Sequence, residues 1–200
     1  MTIALLVIAG YLAGSLPFGY WLVRLAKGVD IRTLGSGNIG ASNVWRTFGP
    51  RLGLPVMALD IAKGFAPAFV AASVDDDLAG VLAGGAAMVG HWRPLFLGFA
   101  RGGKTVATAG GAFLGVAPTV GGIGAGIWIA VFLLTRYASL ASIVTAIALA
   151  ALVVLFGYPW PIVAFGVAGA AAIILMHRQN IRRLLAGTEH RFELRRAGRA

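Results

Sequence analysis

The stretch LASIVTAIALAALVVLF, Leu140–Phe156, contains no charged residue, and its polar side chains are Ser142 and Thr145. A helix of this length is long enough to cross the hydrocarbon core of a bilayer, which takes about 17–25 residues. The whole chain of 200 residues has the same character, because 58% of it is hydrophobic and only 12% is charged. A soluble domain carries roughly a quarter charged residues, and a disordered chain is far less apolar. The sequence therefore predicts an all-α membrane protein.

Six further apolar segments lie on either side of this stretch. The predicted spans are Ile3–Leu25, Leu52–Ser73, Leu78–Trp92, Thr105–Pro118, Gly121–Thr135, Leu140–Phe156 and Ile162–Met176. Pro17 predicts a kink in the first span. Gly121, Gly122 and Gly124, close behind Pro118, indicate either a tight turn between the fourth and fifth spans or a break within one longer segment. We expect a polytopic bundle of seven transmembrane helices with short loops, and six spans with a re-entrant piece as the alternative.

The charges support an odd number of spans. The chain has a net charge of +10, and with seven spans every lysine and arginine except Lys63 falls on one side of the membrane. The loops on the other side hold Asp75, Asp76 and Asp77. Because cationic loops stay in the cytoplasm, we expect the N-terminus outside and the C-terminus inside. Residues 1–200 form one predicted domain, with a basic cytoplasmic tail from about residue 177.

A glycine-rich segment follows the first span on the predicted cytoplasmic side. It reads GSGNIGASN from Gly35 to Asn43, and Arg46 follows shortly after. Glycines let a backbone approach an anion and offer it successive N–H groups. The segment thus predicts a phosphate-binding loop, whose candidate residues are Ser36, Gly37, Asn38, Ser42, Asn43 and Arg46. A plain connecting loop is the alternative, although it would not need so many serines and asparagines.

Other polar residues lie at the same ends of the spans. Gly102, Gly103 and Lys104 open the fourth span, where helix amides favour an anion, although a simple headgroup anchor would look the same. His91 and His177 end spans three and seven and could act as acid, base or phosphate ligand, or be ordinary interfacial histidines. Ser142 and Asn180 complete this set of candidates.

Two charged residues lie inside a predicted span. Asp60 and Lys63 are three residues apart, so they share one face of the second span. Charges at this depth are costly and usually pair or face a polar cavity, so a structural ion pair and a substrate contact are both open. The chain has no cysteine, and its three histidines are dispersed, so we expect no metal site and no cofactor. Nothing in the pattern predicts nucleic-acid binding.

Several motifs together resemble a known family. They are SLPFG at 15–19, GSGNIGASN, LDIAKG at 59–64, Gly90-His91 with Pro94, GGK with VAT at 106–108, Arg136-Tyr137 with Ser139, and HRQNIRRLLAGTE from His177. In order and spacing they are similar to the bacterial membrane glycerol-3-phosphate acyltransferases that use acyl phosphate, the PlsY family. The resemblance covers nearly the whole chain. It departs at Thr105, where the family usually has glycine after the lysine, and at Ser42, where it has threonine.

The resemblance implies an enzyme of the bacterial inner membrane, active as a monomer without metal. Its reaction would move an acyl group from acyl phosphate to the 1-hydroxyl of sn-glycerol 3-phosphate, giving lysophosphatidic acid and phosphate. The implied catalytic residues are His91, Ser36 and Lys104. The glycerol 3-phosphate would bind near Ser36, Arg46, Lys104, His177 and Asn180, and the acyl phosphate head near Ser42, Ser142 and His91.

Two other functions remain alternatives at this point. A transporter for an organic phosphate would use similar basic and glycine-rich segments, but it needs polar residues through the depth of the bilayer. A structural membrane subunit would leave the serine and asparagine loops unexplained. The polar residues of this chain gather at one end of the spans, which favours an interfacial enzyme.

Overall fold

The computed structural model describes residues 2–192, and every regular element in that range is helical. The tail arginines Arg195, Arg196 and Arg199 lie outside the described residues. The helices are α1 Thr2–Gly14, α2 Phe18–Lys27, α3 Ala41–Phe48, α4 Pro50–Val74, α5 Asp77–Trp92, α6 Val106–Val116, α7 Pro118–Thr135, α8 Ala138–Leu155, α9 Trp160–Met176 and α10 Arg178–Leu185. Short 3-10 turns occupy Ile31–Thr33 and Leu95–Leu97.

Several of these helices are long and apolar enough to cross a membrane. Four qualify by length and composition, namely Ile3–Lys27 (α1 with α2), Pro50–Val74, Pro118–Thr135 and Ala138–Leu155. The pair α9 and α10 would be a fifth, bent by 61°. Helices α5 and α6 have 16 and 11 residues, which is short for a span. Each of the seven predicted spans corresponds to a helical segment, but seven crossings remain a prediction.

The break predicted at Pro17 is confirmed. Helix α1 ends at Gly14 and α2 begins at Phe18, because proline has no N–H to continue the hydrogen-bond ladder. The break leaves the carbonyl of Leu16 without a helical partner, and the Lys63 Nζ of α4 donates to it at 2.8 Å. A residue from the middle of one helix therefore stabilises the interruption in another.

The interruption expected near Pro118 is present, but it lies at Ala117 rather than at the glycines. Helices α6 and α7 meet at Ala117, and Gly121, Gly122 and Gly124 lie inside α7. Proline supplies the start of α7, since Pro118 is tolerated in a first helical turn. A Cβ on Gly121 would lie 2.7 Å from the backbone nitrogen of Leu114, so this glycine allows α6 and α7 to pack closely. The glycine signal here reflects helix contact rather than a turn.

Small residues fill the interior and large apolar residues cover the outside. Alanines such as Ala68, Ala83 and Ala112 are fully buried, while Leu5, Leu134 and other leucines and phenylalanines are exposed. An exterior of this kind suits a bundle that faces lipid, where helices associate through close backbone packing. The polar segment between α2 and α4 is more ordered than expected for a loop, because Ala41–Phe48 forms the amphipathic helix α3.

Candidate active site

A cavity of about 290 Å³ lies between α3, α4, α6, α7, α8 and the α9–α10 bend. Its polar part is lined by Ser36, Asn38, Ser42, Arg46, Lys104, Ser139, His177, Asn180 and Glu189. Its apolar part is lined by Leu114, Ala125, Trp128, Ile129, Phe132 and Leu149. The chain segments singled out by their polar motifs therefore meet in one place, and an apolar compartment adjoins them.

The glycine-rich loop is shaped by its two asparagines. Gly35 and Gly37 have φ values of 57° and 67°, which residues other than glycine rarely adopt. Asn43 is buried, accepts from the Ser36 N–H at 2.9 Å and donates to the Asn38 carbonyl at 2.8 Å. The Gly40 N–H in turn donates to Asn38 Oδ1 at 2.7 Å. Both asparagine side chains thus hold the loop's shape, although each was predicted to bind substrate.

That fold leaves other groups of the loop free to meet a ligand. Ser36, Ser42 and Arg46 are exposed and line the cavity. Helix α3 begins behind Gly40, which provides no side-chain cap for the first amides of the helix. Uncapped amides carry partial positive charge and hydrogen-bond anions. This corner therefore combines two hydroxyls, a guanidinium and a helix N-terminus.

The segment that carries Lys104 rests on the end of α5. The N–H groups of Gly102 and Gly103 donate to the carbonyls of Trp92 and His91, each at 2.9 Å. A Cβ on Gly103 would lie 1.7 Å from His91 Nε2, so only glycine allows this approach. The buried His91 ring thus supports the segment from beneath.

A buried charged group lies behind this contact. Asp60 and Lys63 form an ion pair at 2.8 Å, and both side chains are 2% exposed. His91 Nδ1 lies 3.6 Å from the same Asp60 oxygen. Lys63 also holds the break in the first span, so these three residues connect α4, α5 and the α1–α2 break. The structure thus contains the predicted ion pair of Asp60 and Lys63, and a substrate contact by either residue stays a prediction.

Lys104 belongs to a hydrogen-bond network centred on Glu189. Its Nζ donates to Asn180 Oδ1, and the Asn180 amide donates to Glu189 Oε1 at 2.6 Å. Glu189 also accepts from Ser139 Oγ at 2.8 Å and from Arg183 Nε at 2.6 Å. Burial alone would raise the pKa of Glu189, but these three hydrogen bonds hold it below the ordinary value. Glu189 therefore stays charged and orients Asn180.

Burial also lowers the pKa of the two basic groups beside the network. Loss of water contact brings the pKa of Lys104 to about 8, against the opposing pull of the Glu189 charge. Burial and then the Lys104 charge bring the pKa of His177 to about 4, so its ring is neutral near pH 7. His177 Nδ1 lies 2.8 Å from the Ile173 carbonyl, which can only accept, so Nδ1 carries the proton. Nε2 of His177 is then a hydrogen-bond acceptor.

The predicted site residues fall into two groups. Those that line the cavity are Ser36, Asn38, Ser42, Asn43, Arg46, Asp60, His91, Lys104, Ser142, His177 and Asn180. Gly37, Lys63, Gly102 and Gly103 do not line it and support it from behind. Ser142 is already engaged, because its hydroxyl donates to the Ala138 carbonyl at 2.7 Å and accepts from Trp128 Nε1 at 3.2 Å.

Glu189 and Arg183 were not predicted as site residues. Both residues belong to the motif HRQNIRRLLAGTE, in which Glu189 is the one acidic residue. The tail was expected to be a basic extension, but residues up to Phe192 pack back onto the bundle. The Phe192 N–H donates to the Arg136 carbonyl at 2.8 Å, and its ring packs against Trp45 and Phe132.

Comparison with known proteins gives a consistent result across sequence and structure. The family model described as glycerol-3-phosphate acyltransferase matches residues 4–187. The glycerol-3-phosphate acyltransferase of Desulforudis audaxviator is 43% identical over 196 residues, covering 98% of each chain. That of Aquifex aeolicus is 44% identical over 189 residues, covering 94% of this chain and 97% of its own.

Solved structures agree with this match. The crystal structure of PlsY (YgiH), an integral membrane glycerol 3-phosphate acyltransferase, in its glycerol 3-phosphate form superposes with a TM-score of 0.92. The two chains are 43% identical, and the match covers 96% of each. The lysophosphatidic acid form of PlsY superposes with a TM-score of 0.89 at 42% identity, again over 96% of each chain. With its several apolar helices, this chain is a multi-pass integral membrane protein that belongs to the glycerol-3-phosphate acyltransferase family, of the PlsY type.

Proposed function

We propose that this protein transfers an acyl group from acyl phosphate to the 1-hydroxyl of sn-glycerol 3-phosphate, releasing lysophosphatidic acid and phosphate. The observation that carries the proposal is the two-part cavity, with a cationic polar part next to an apolar part. A water-soluble phosphate ester and a lipid-bound acyl donor need these two environments side by side. Relatives named for glycerol 3-phosphate acyl transfer support the acceptor.

The phosphate of glycerol 3-phosphate fits the corner where Lys104 and Asn180 meet. Lys104 and Arg46 supply positive charge, and the Ser36 hydroxyl can donate to a phosphate oxygen. Neutral His177 lines the same corner, where its Nε2 can accept a hydrogen bond from a hydroxyl of the glycerol. The hydrogen bond between Lys104 and Asn180 fixes the ammonium group before a ligand arrives. Preorganised charge of this kind loses less entropy on binding than a free side chain would.

The acyl phosphate head fits between Ser42, the amides at the start of α3 and the middle of the cavity. Its chain would then extend along the apolar part, near Leu114, Ile129 and Leu149. Holding the two reactants together could account for several kcal/mol of the barrier, up to ~7–11 in ideal cases. The cationic groups would stabilise the carbonyl oxyanion and the leaving phosphate. We expect the monomer to suffice, in a bacterial inner membrane, with the site facing the cytoplasm.

The hydroxyl proton has two candidate acceptors, His91 and a phosphate oxygen of the substrate. His91 is 3% exposed and its Nε2 faces Gly103, which favours a supporting role for this ring and substrate-assisted proton transfer. Under that assignment, His91→Ala lowers kcat but leaves turnover measurable at saturating substrate. Complete loss of turnover with unchanged glycerol 3-phosphate binding would assign the base to His91.

One assay tests the donor and the acceptor together. Purified protein is mixed with labelled glycerol 3-phosphate and, in separate reactions, with acyl phosphate, acyl coenzyme A or acyl carrier protein of the same chain length. We expect lysophosphatidic acid and one equivalent of phosphate with acyl phosphate alone. Product formed equally well from a thioester donor would refute the assignment of the donor, and no product from any donor would refute the proposed reaction.

A further inference from the structure

A second depression lies on the outer surface of the bundle, between α5 and α9. We call it the α5–α9 groove. Its floor and walls are apolar or small and include Gly85, Met88, Val89, Phe165, Gly169 and Leu175. A Cβ placed on Gly85 meets only the edge of Phe165, at 4.0 Å, so the space above this glycine is open. The groove has a volume of about 670 Å³ and is separate from the apolar part of the active-site cavity.

One end of the groove is cationic. Arg93, Arg101 and Arg178 line it there, and each of them is exposed. The Arg93 guanidinium lies 5.0 Å from the centre of the Trp92 ring, which forms part of the same wall. Within residues 2–192, no aspartate or glutamate lines the groove, and none forms an ion pair with these three arginines. These three guanidinium groups are therefore available to an anion from outside the chain.

The dimensions agree with one leaflet of a bilayer. Helix α9 rises about 16 Å between Phe165 and Met176 at 1.5 Å per residue. Half of a hydrocarbon core of ~30 Å is a similar distance. An acyl chain lying in the groove would thus reach from the bilayer midplane to the level of the arginines, where its headgroup phosphate would lie.

We propose that the α5–α9 groove binds an anionic phospholipid of the surrounding membrane, with one acyl chain along Gly85 and Gly169 and its phosphate against Arg93, Arg101 and Arg178. The proposal does not depend on the acyl-transfer reaction. Lys104 and Thr105 line both the groove and the active-site cavity. A lipid bound in the groove therefore touches the other side of the segment that carries Lys104.

The test compares lipid retention by variants in native mass spectrometry. The protein in detergent is mixed with equal amounts of phosphatidylglycerol and phosphatidylcholine with identical chains. We expect the wild type to retain phosphatidylglycerol preferentially. Gly85→Leu fills the groove and should lower this retention by about tenfold. Gly122→Leu is the matched control, because Gly122 is exposed on α7 with nothing within 4 Å of its Cβ position and lies outside both cavities.

A second set of variants separates the contribution of the three arginines from that of the contact with the lipid acyl chain. Replacing Arg93, Arg101 and Arg178 together by glutamine should abolish the preference for phosphatidylglycerol over phosphatidylcholine, because each basic residue adds to anionic-lipid binding. Gly169→Leu fills the other side of the groove and replaces Gly85→Leu if that variant does not fold. Equal retention by wild type and the folded groove variant, or equal loss in Gly122→Leu, would overturn the proposal. So would equal retention of the two lipids by the wild type.

Discussion

At the scale of single residues, Lys104 has the most sharply defined chemistry. It lies between two cavities, its ammonium group is held by Asn180, and burial brings its pKa to about 8. A lysine in water keeps its proton up to pH ~10.4. Lys104 therefore loses its positive charge within the range of pH that an enzyme assay can cover, and that charge is the one closest to the proposed phosphate site.

This pKa predicts how substrate binding depends on pH. Because burial lowers the pKa, the charge is present below pH 8 and is lost above it, so the KM for glycerol 3-phosphate should rise between pH 7.5 and 9.5. The limiting slope is about tenfold per pH unit. The substrate phosphate is already a dianion there, since its second pKa is ~6, and His177 titrates far below this range. Steady-state kinetics across the range measures the effect.

Lys104→Arg is the matched variant. A guanidinium keeps its charge throughout this range, so the rise in KM with pH should flatten even if the KM at pH 7.5 is higher than in the wild type. The same rise in both proteins would show that another group titrates and that the charge of Lys104 does not control phosphate binding.

At the scale of elements, local sequence patterns predicted the segments that line the site better than the contacts that hold those segments in place. The glycine-rich loop and the GGK segment stand out in sequence because polar or charged residues accompany their glycines, whereas the glycines of the spans lie among apolar residues. The hydrogen bonds of Lys104 with Asn180 and of Ser139 with Glu189 join residues 76 and 50 positions apart in the chain, so no local pattern reveals them. Asn43 has the right chemistry for a ligand, but packing buries it and gives its amide to the backbone.

Thr105, at the start of α6, has a backbone conformation that favours glycine. Thr105 precedes the helix with φ 62° and ψ 0°, in the left-handed region. This conformation is costly for residues other than glycine, by roughly 1–2 kcal/mol, and most of all for a β-branched one. Thr105 is nearly fully buried, and its hydroxyl approaches the sulfur of Met176. The chain thus accepts backbone strain immediately beside Lys104.

Two substitutions separate this strain from the packing of the side chain. Thr105→Ala and Thr105→Gly remove the same hydroxyl and methyl groups, but only glycine relieves the left-handed backbone. We expect the free energy of unfolding of Thr105→Gly to exceed that of Thr105→Ala by about 1 kcal/mol. Denaturant titration in mixed micelles measures the difference. A Thr105→Ala protein as stable as Thr105→Gly would mean that the backbone at this position is not strained.

At the scale of the whole molecule, the charge distribution supports seven crossings more strongly than the helix lengths do. The separation of cations from Asp75–Asp77 predicts an odd number of crossings, whereas within residues 2–192 only four helical segments are clearly long enough and a bent pair could be a fifth. The number of crossings depends on whether helix α6, which has 11 residues, crosses the membrane. If α6 crosses, the α6–α7 connection lies on the same side as Asp75. If it re-enters, that connection does not reach the outer surface.

The absence of cysteine allows each loop to be tested with one introduced thiol. Thr119→Cys reports on the α6–α7 connection, Asp75→Cys on the acidic loop, and Leu185→Cys on the exposed end of α10. In intact spheroplasts, a membrane-impermeant maleimide should label Thr119→Cys and Asp75→Cys, because seven spans with the N-terminus outside put both loops outside. Leu185→Cys should react only after permeabilisation. If Asp75→Cys is labelled but Thr119→Cys is protected, α6 and α7 form a re-entrant pair instead. If Leu185→Cys is labelled in intact spheroplasts, the orientation is reversed and the active site does not face the cytoplasm.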